Sequence, residues 1–225
     1  MFYPGCLPLI AILAFLFLFP FFFAQFMLAA LSKLGMQPQI ALLALMGIIL
    51  GGSLNIPIKR IPREEDHFVA PLTLFGLGDF FPRLRVTRRY TTLAVNVGGC
   101  LIPCIIALYE FARVLSRGSG AILTLLVVTV LSISVCYRLA RPVEGIGIAM
   151  PALIPPLLAA LPSVLLMPDF APPIAFTAGV LGPLIGADLL HISEIKHVST
   201  GMASIGGAGT FDGIVLSGLI AALLA

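Results

Sequence analysis

Seven long apolar segments occupy most of this 225-residue chain. A helix needs about 20 mostly apolar residues to cross a bilayer, and each segment is close to that length or exceeds it. Charged residues make up 10% of the chain, whereas ordinary soluble domains carry about a quarter. The sequence therefore predicts an all-α polytopic membrane protein, a single integral membrane domain over 1–225, with helices at about 7–32, 38–55, 91–114, 119–137, 142–167, 171–192 and 205–225.

The first apolar segment is interpreted as a retained transmembrane helix. It has no basic region before it and continues to about residue 31, whereas the apolar core of a signal peptide has roughly 7–15 residues.

The basic residues predict how the bundle is oriented. Cytoplasmic loops of membrane proteins are enriched in Lys and Arg. A cytoplasmic N-terminus places ten of the 13 basic residues on that side and leaves Lys33, Arg113 and Arg117 outside. We therefore expect a multi-pass protein of the cell membrane with its N-terminus in the cytoplasm and its C-terminus outside.

The loop at 56–90 is the one long polar segment. Two arms of the segment "LTLFGLGDFFPRLRVTR" flank a turn at Gly76–Asp79, and the second arm alternates apolar and polar residues. This pattern predicts a small β-hairpin on the cytoplasmic face, with a short amphipathic helix as the alternative. We interpret the GLGD sequence itself as a turn.

Two aspartates interrupt the last two apolar segments. Asp188 and Asp212 each lie twelve residues from Thr200, so a hairpin that turns there places both carboxylates at one depth. GxxxG steps end at Gly186 and Gly213, and such steps let helices approach closely in lipid. A carboxylate in a membrane needs a partner or water. The sequence therefore predicts that Asp188 and Asp212 face each other.

Other polar or helix-breaking residues are expected at the same depth. Prolines in "MPALIPP" remove backbone hydrogen bonds, which is tolerated at membrane depth only against protein or a water-filled cavity. We predict a hydrated pocket open to the cytoplasm. Its expected lining residues are Asn96, Gly145, Gly147, Pro151, Ala152, Leu153, Gly186, Gly209 and Gly213.

The residues alone leave three roles open for the two aspartates. Two carboxylates that share a site hold one proton between them, which suits the acid–base chemistry of an aspartyl peptidase. The same carboxylates could carry protons or cations in a secondary transporter or proton-coupled permease. They could also have a structural role, with each aspartate bonding backbone groups in a glycine-rich segment.

No cofactor or metal is expected. His191, Glu194 and His197 do not form an HExxH motif, and the four cysteines are interpreted as buried, inert thiols. Most of the basic residues are gathered in loops, where positive charge marks the cytoplasmic side, so nucleic acid is not expected as a partner. The expected partners are the lipid bilayer and a peptide or membrane-protein substrate.

Four segments carry a resemblance to a bacterial and archaeal family of multi-pass membrane proteins of unknown function. They are "AVNVGGCLIP", "RPVEGIGIAMPALIPP", "GPLIGADLLHI" and "ASIGGAGTFDGIVLSG", and the likeness covers about residues 90–225. It implies the multi-pass fold and no activity.

A weaker likeness is to the GxGD intramembrane aspartyl proteases, which include presenilin, signal peptide peptidase and the prepilin peptidases. It implies that Asp188 and Asp212 are the catalytic pair and that Pro151, Ala152 and Leu153 form a nearby Pro-Ala-Leu motif. The chain departs from that pattern because "GTF" precedes Asp212. The Pro-Ala-Leu tripeptide also precedes both aspartates. With this likeness we expect an intramembrane aspartyl peptidase, and a secondary transporter or proton-coupled permease is the alternative.

Overall fold

A computed structural model describes residues 6–62, 90–143, 147–197 and 202–225. Seven α-helices lie within these ranges: α1 (Cys6–Lys33), α2 (Pro38–Gly51), α3 (Ile102–Arg117), α4 (Ser119–Leu139), α5 (Ile154–Leu166), α6 (Ala171–Leu181) and α7 (Gly213–Leu224). A π-helical segment, Val97–Leu101, leads into α3, and a second one, Gly182–Leu189, continues α6.

Four helical segments of the described chain are long and apolar enough to cross a membrane. They are Pro8–Lys33, Val97–Arg117, Ser119–Leu139 and Pro168–Glu194. Helices α2, α5 and α7 are apolar but shorter. Membrane association is therefore supported by the lengths and compositions of the helices.

The segments predicted as helices 2, 3, 5 and 7 are wrong at one end, because each gives way to extended chain. Strands β1 (Asn55–Pro62), β2 (Tyr90–Asn96) and β5 (Met202–Ile205) form a sheet in the order β1-β2-β5. Two further strands, β3 (Arg141–Val143) and β4 (Gly147–Ala149), form a hairpin. The fold is therefore not purely helical.

Local sequence explains why these helices are shorter than predicted. Pro57 lies within β1, and a proline inside a helix removes a backbone hydrogen bond and clashes with the preceding turn. Gly147 and Gly206 have φ values of +116° and +72°, a conformation that glycine adopts without the steric cost that other residues meet. Breaks of this kind outweigh an apolar composition that is compatible with a longer helix.

The 56–90 loop does begin and end in paired strands. Strands β1 and β2 are antiparallel, with Asn55 opposite Asn96 and Ile61 opposite Thr91. The predicted hairpin itself, with both of its arms and the turn at Gly76–Asp79, lies outside the described residues.

The predicted contact of α6 with α7 through GxxxG steps at Gly186 and Gly213 is wrong. A Cβ at Gly186 would meet the Ile133 carbonyl oxygen of α4 at 2.5 Å, whereas at Gly213 its nearest neighbour would be Met150 Cε at 3.9 Å. The close approach of α6 to α7 lies further along α7, around the middle of that helix. There a Cβ at Gly179 would lie 2.9 Å from the Ser217 carbonyl oxygen.

The end of the bundle remote from the sheet is tied together by basic side chains. Lys33 Nζ donates a hydrogen bond to the Leu223 carbonyl (2.7 Å), so α1 and α7 end at the same level. Arg113 forms an ion pair with the fully buried Glu110 (2.7 Å) and donates to the Leu34 carbonyl. These contacts fix α1, α3 and α7 relative to one another.

Candidate active site

A cavity of about 370 Å³ with two carboxylates in its wall lies where the strands meet the helices. Strand β5 and the glycine-rich turn after it form much of its wall, and β4 contributes a second side. The lining residues are Asn55, Gly147, Ile148, Asp188, Met202, Ala203, Ser204, Ile205, Gly206, Gly207, Ala208 and Asp212. Both predicted aspartates therefore line one cavity, although they belong to different elements.

Asp212 is placed by the start of α7. It is the N-cap of that helix, and its carboxylate accepts hydrogen bonds from the backbone N–H of Ile214 (3.0 Å) and of Ala208 (3.2 Å). An aspartate N-cap satisfies an N–H group that has no partner within the helix. Each carboxylate oxygen accepts one of these bonds and keeps a second lone pair, which is available to a ligand.

Asp188 is placed by the π-helical continuation of α6. In a π-helix the hydrogen bonds run from i to i+5, and such segments occur frequently at functional sites. The carboxylate of Asp188 interacts with the backbone of Gly206 and with the charge of Asp212. Gly206 thus links the first aspartate to the turn that leads to the second.

A network of amide and hydroxyl groups supports the cavity beside the aspartates. The Asn96 side chain donates to the Gly52 carbonyl (2.8 Å) and to Asn55 Oδ1 (3.1 Å), and it accepts from the Gly99 N–H (2.7 Å). Ser204 Oγ donates to Asn55 Oδ1 (2.6 Å). Asn96 is fully buried and fixes β1 and the π-helical segment behind the cavity wall.

Sequence reasoning missed Asn55 and Ser204. Asn55 ends the segment predicted as the second transmembrane helix, and a polar side chain is ordinary at a helix end because it reaches the membrane interface. The bond between these two side chains spans 149 positions, and no local pattern indicates it. The presence of an amide at the boundary of an apolar segment was the available signal.

The other predicted lining residues have varied positions. Gly147 lines the cavity, and Gly209 is buried against Gly52. Gly186 packs on α4, Gly213 is exposed, and Asn96 lies behind the wall as described above. Pro151, Ala152 and Leu153 are exposed between β4 and α5, and Gly145 lies outside the described residues.

His191 lies just after the π-helical segment and bonds to its backbone. Its Nδ1 lies 2.9 Å from the Ala187 carbonyl and 3.1 Å from the Gly186 carbonyl, and its ring packs on Tyr137 at 4.9 Å. Because both neighbours of Nδ1 are acceptors, this nitrogen carries the proton. His191 thereby satisfies carbonyl groups near the end of the segment that carries Asp188.

One protein family matches most of the chain. The family described as "Protein of unknown function (DUF1614)" matches residues 49–224, which is more than half of the sequence. The chain belongs to this family. Its DUF1614 match includes both aspartates and every residue around the cavity, and it begins after α1.

No curated protein and no solved structure matches the chain. The family agrees with the resemblance to multi-pass proteins of unknown function. The likeness to the GxGD proteases receives no support from these comparisons.

Proposed function

We propose that this DUF1614 protein is an intramembrane aspartyl peptidase with Asp188 and Asp212 as its acid–base pair. The observation that carries the proposal is that the two carboxylates line one cavity. Two neighbouring carboxylates share one proton, which is the state that aspartyl peptidases use.

The hydrogen bonds suggest a role for each aspartate. Asp212 accepts two backbone N–H bonds, which stabilise its ionised form, so it is the general base that takes a proton from water. Asp188 donates a proton to the substrate carbonyl oxygen while that water attacks the carbonyl carbon. General acid–base groups typically contribute about 10²–10⁴-fold each to a rate.

Strand β5 supports a peptide as the substrate. It is an edge strand of the described sheet, it is parallel to β2, and all four of its residues line the cavity. An extended peptide can add to an exposed sheet edge through main-chain hydrogen bonds. A substrate bound in this way would run beside both aspartates.

The proposed orientation follows from the basic residues. Lys59 and Arg60 lie on β1, and Arg138 and Arg141 lie near the start of the β3–β4 hairpin. Lys33 ends α1 and Arg117 ends α3, both at the end of the bundle remote from the strands. The positive-inside rule places the strands and the cavity on the cytoplasmic side.

The proposal is tested with purified variants reconstituted in lipid together with tagged single-span membrane proteins. Asp188→Asn and Asp212→Ser should abolish cleavage and remain folded, because asparagine keeps an acceptor for Gly206 and serine keeps an N-cap. Asp169→Asn is the matched control, since Asp169 is exposed and lies outside the cavity. Cleavage by folded Asp212→Ser at the wild-type rate would refute the proposal.

The same variants separate the alternatives. If the protein is a transporter, the wild type cleaves no peptide and shows pH-dependent uptake. Replacement of either aspartate then abolishes that uptake. A purely structural role predicts that each replacement lowers thermal stability and that the losses add.

A further inference from the structure

The cavity lies well inside the bilayer when the helix lengths are used as a scale. Lys33 and Leu223 are in contact, and a lysine at a helix end extends to the membrane interface, so we take this level as one membrane surface. Along α7, Asp212 lies about 17 Å from Leu223 at ~1.5 Å per residue. A hydrocarbon core of about 30 Å leaves Asp212 about 13 Å below the opposite surface.

Strand β1 gives an independent value for the same depth. Asn55 lines the cavity, and the exposed residues Ile56 and Ile58 follow it before the basic residue Lys59. At ~3.3 Å per strand residue, Lys59 lies about 13 Å from Asn55. The change from apolar to basic side chains therefore marks the membrane surface at the level that α7 predicts.

Helix α1 continues past the cavity with few contacts to the other described residues. Residues 8–22 are all exposed, whereas Met27, Ala30 and Leu31 are fully buried in the bundle. At ~1.5 Å per residue the 28-residue helix is about 42 Å long, so its free half crosses the layer in which the strands lie. The exposed apolar side chains of this half are compatible with contact to lipid.

The two sides of Asp212 differ in chemistry. On one side Ala208, which is exposed, donates to its carboxylate and lines the polar cavity. Phe211, which directly precedes Asp212, is not among the residues that line the cavity; it stacks on Phe23 of α1 at 4.9 Å and is 55% exposed. Gly213 is also exposed, and among the described residues a Cβ built on it would meet only Met150 Cε within 4 Å.

We propose that Asp212 lies at a boundary between a water-filled recess and the lipid of the leaflet on the cavity side. The opening lies between the free half of α1 and the turn from β4 to α5. A substrate reaches the carboxylates sideways from the membrane, with its apolar part in lipid and an extended polar part in the recess. Irregular backbone at this depth requires such water or protein contact. This assignment of a membrane-embedded substrate class rests on the proposed function.

The chain has no tryptophan, so single tryptophans can report on each side of Asp212. Phe211→Trp is a conservative change on the apolar side, and Ala208→Trp reports on the cavity. Phe22→Trp, on the free half of α1 (70% exposed), is the lipid reference. Each variant is reconstituted and quenched with lipids brominated on the acyl chain and, separately, with aqueous iodide.

We expect brominated lipid to quench Phe211→Trp about as strongly as Phe22→Trp, and iodide to quench neither. Iodide should quench Ala208→Trp. If Ala208→Trp does not fold, Ile148→Trp probes the same cavity. Quenching of Phe211→Trp by iodide as strong as at the cavity position would refute the lipid opening, and a cavity tryptophan that escapes iodide would refute the water-filled recess. These readings require no cleavage, so they stand apart from the test of peptidase activity.

Discussion

Replacement of Gly99 by alanine tests how the cavity wall is held. Gly99 lies in the π-helical segment before α3, and a Cβ there would be 2.0 Å from the Gly206 carbonyl oxygen and 3.0 Å from that of Gly209. An ordinary contact is 3.4–4 Å, so the two backbones would have to separate by about 1.4 Å. Overpacking typically costs about 1–3 kcal/mol, and we expect the upper end because both opposing atoms belong to backbone.

The assay is thermal unfolding in detergent, monitored by circular dichroism. Gly120→Ala is the control: in the described part of the chain, no atom beyond its own helical turn lies within 4 Å of the added Cβ. Alanine in a helix stabilises by up to about 1 kcal/mol relative to glycine. We expect Gly99→Ala to unfold at a lower temperature than wild type and Gly120→Ala at an equal or higher one. Equal midpoints for the two variants would refute the close approach of Gly99 to Gly206.

Two further predictions concern packing and orientation. Gly218→Leu should lower the unfolding temperature while Gly213→Leu leaves it nearly unchanged, because a Cβ at Gly218 lies 2.6 Å from Val180 Cγ2 and Gly213 is open; the opposite order would contradict this packing of α6 on α7. In a background without native cysteines, an impermeant maleimide added to intact cells should label Arg117→Cys and leave Arg60→Cys unlabelled. Labelling of Arg60→Cys from outside would overturn the cytoplasmic cavity.

Sequence reasoning located the aspartates because their chemistry is conspicuous. A carboxylate in an apolar segment needs a partner or water, and the equal spacing of Asp188 and Asp212 around Thr200 brought them to one depth. The structure places both at one cavity. It reaches that arrangement differently, because Asp212 caps α7 and does not lie within a continuous helix.

The strands could not be predicted from composition. Apolar residues such as Leu93 and Val95 suit a buried strand as well as a transmembrane helix, and periodicity does not separate the two for short apolar segments. Pairing of β2 with β5 joins residues such as Thr92 and Met202, which lie far apart in sequence. Only the three-dimensional contact determines which state these residues adopt.

The glycines show a similar limit. A GxxxG step indicates that a helix has a face of small residues, but it does not indicate which helix packs on that face. Gly186 belongs to such a step and packs on α4, whereas Gly213 packs on little. The partner depends on how α4, α6 and α7 are arranged, and neither step contains that information.

The most direct test of the central claim is the cleavage rate of Asp188→Asn, Asp212→Ser and the double variant, measured with wild type in one lipid preparation. Catalytic residues that act as one unit lose their effect at the first replacement. The account predicts that the double variant cleaves no more slowly than either single variant, with all three folded. Multiplicative losses in the double variant, or cleavage retained by either folded single variant, would contradict the claim that Asp188 and Asp212 form one catalytic pair.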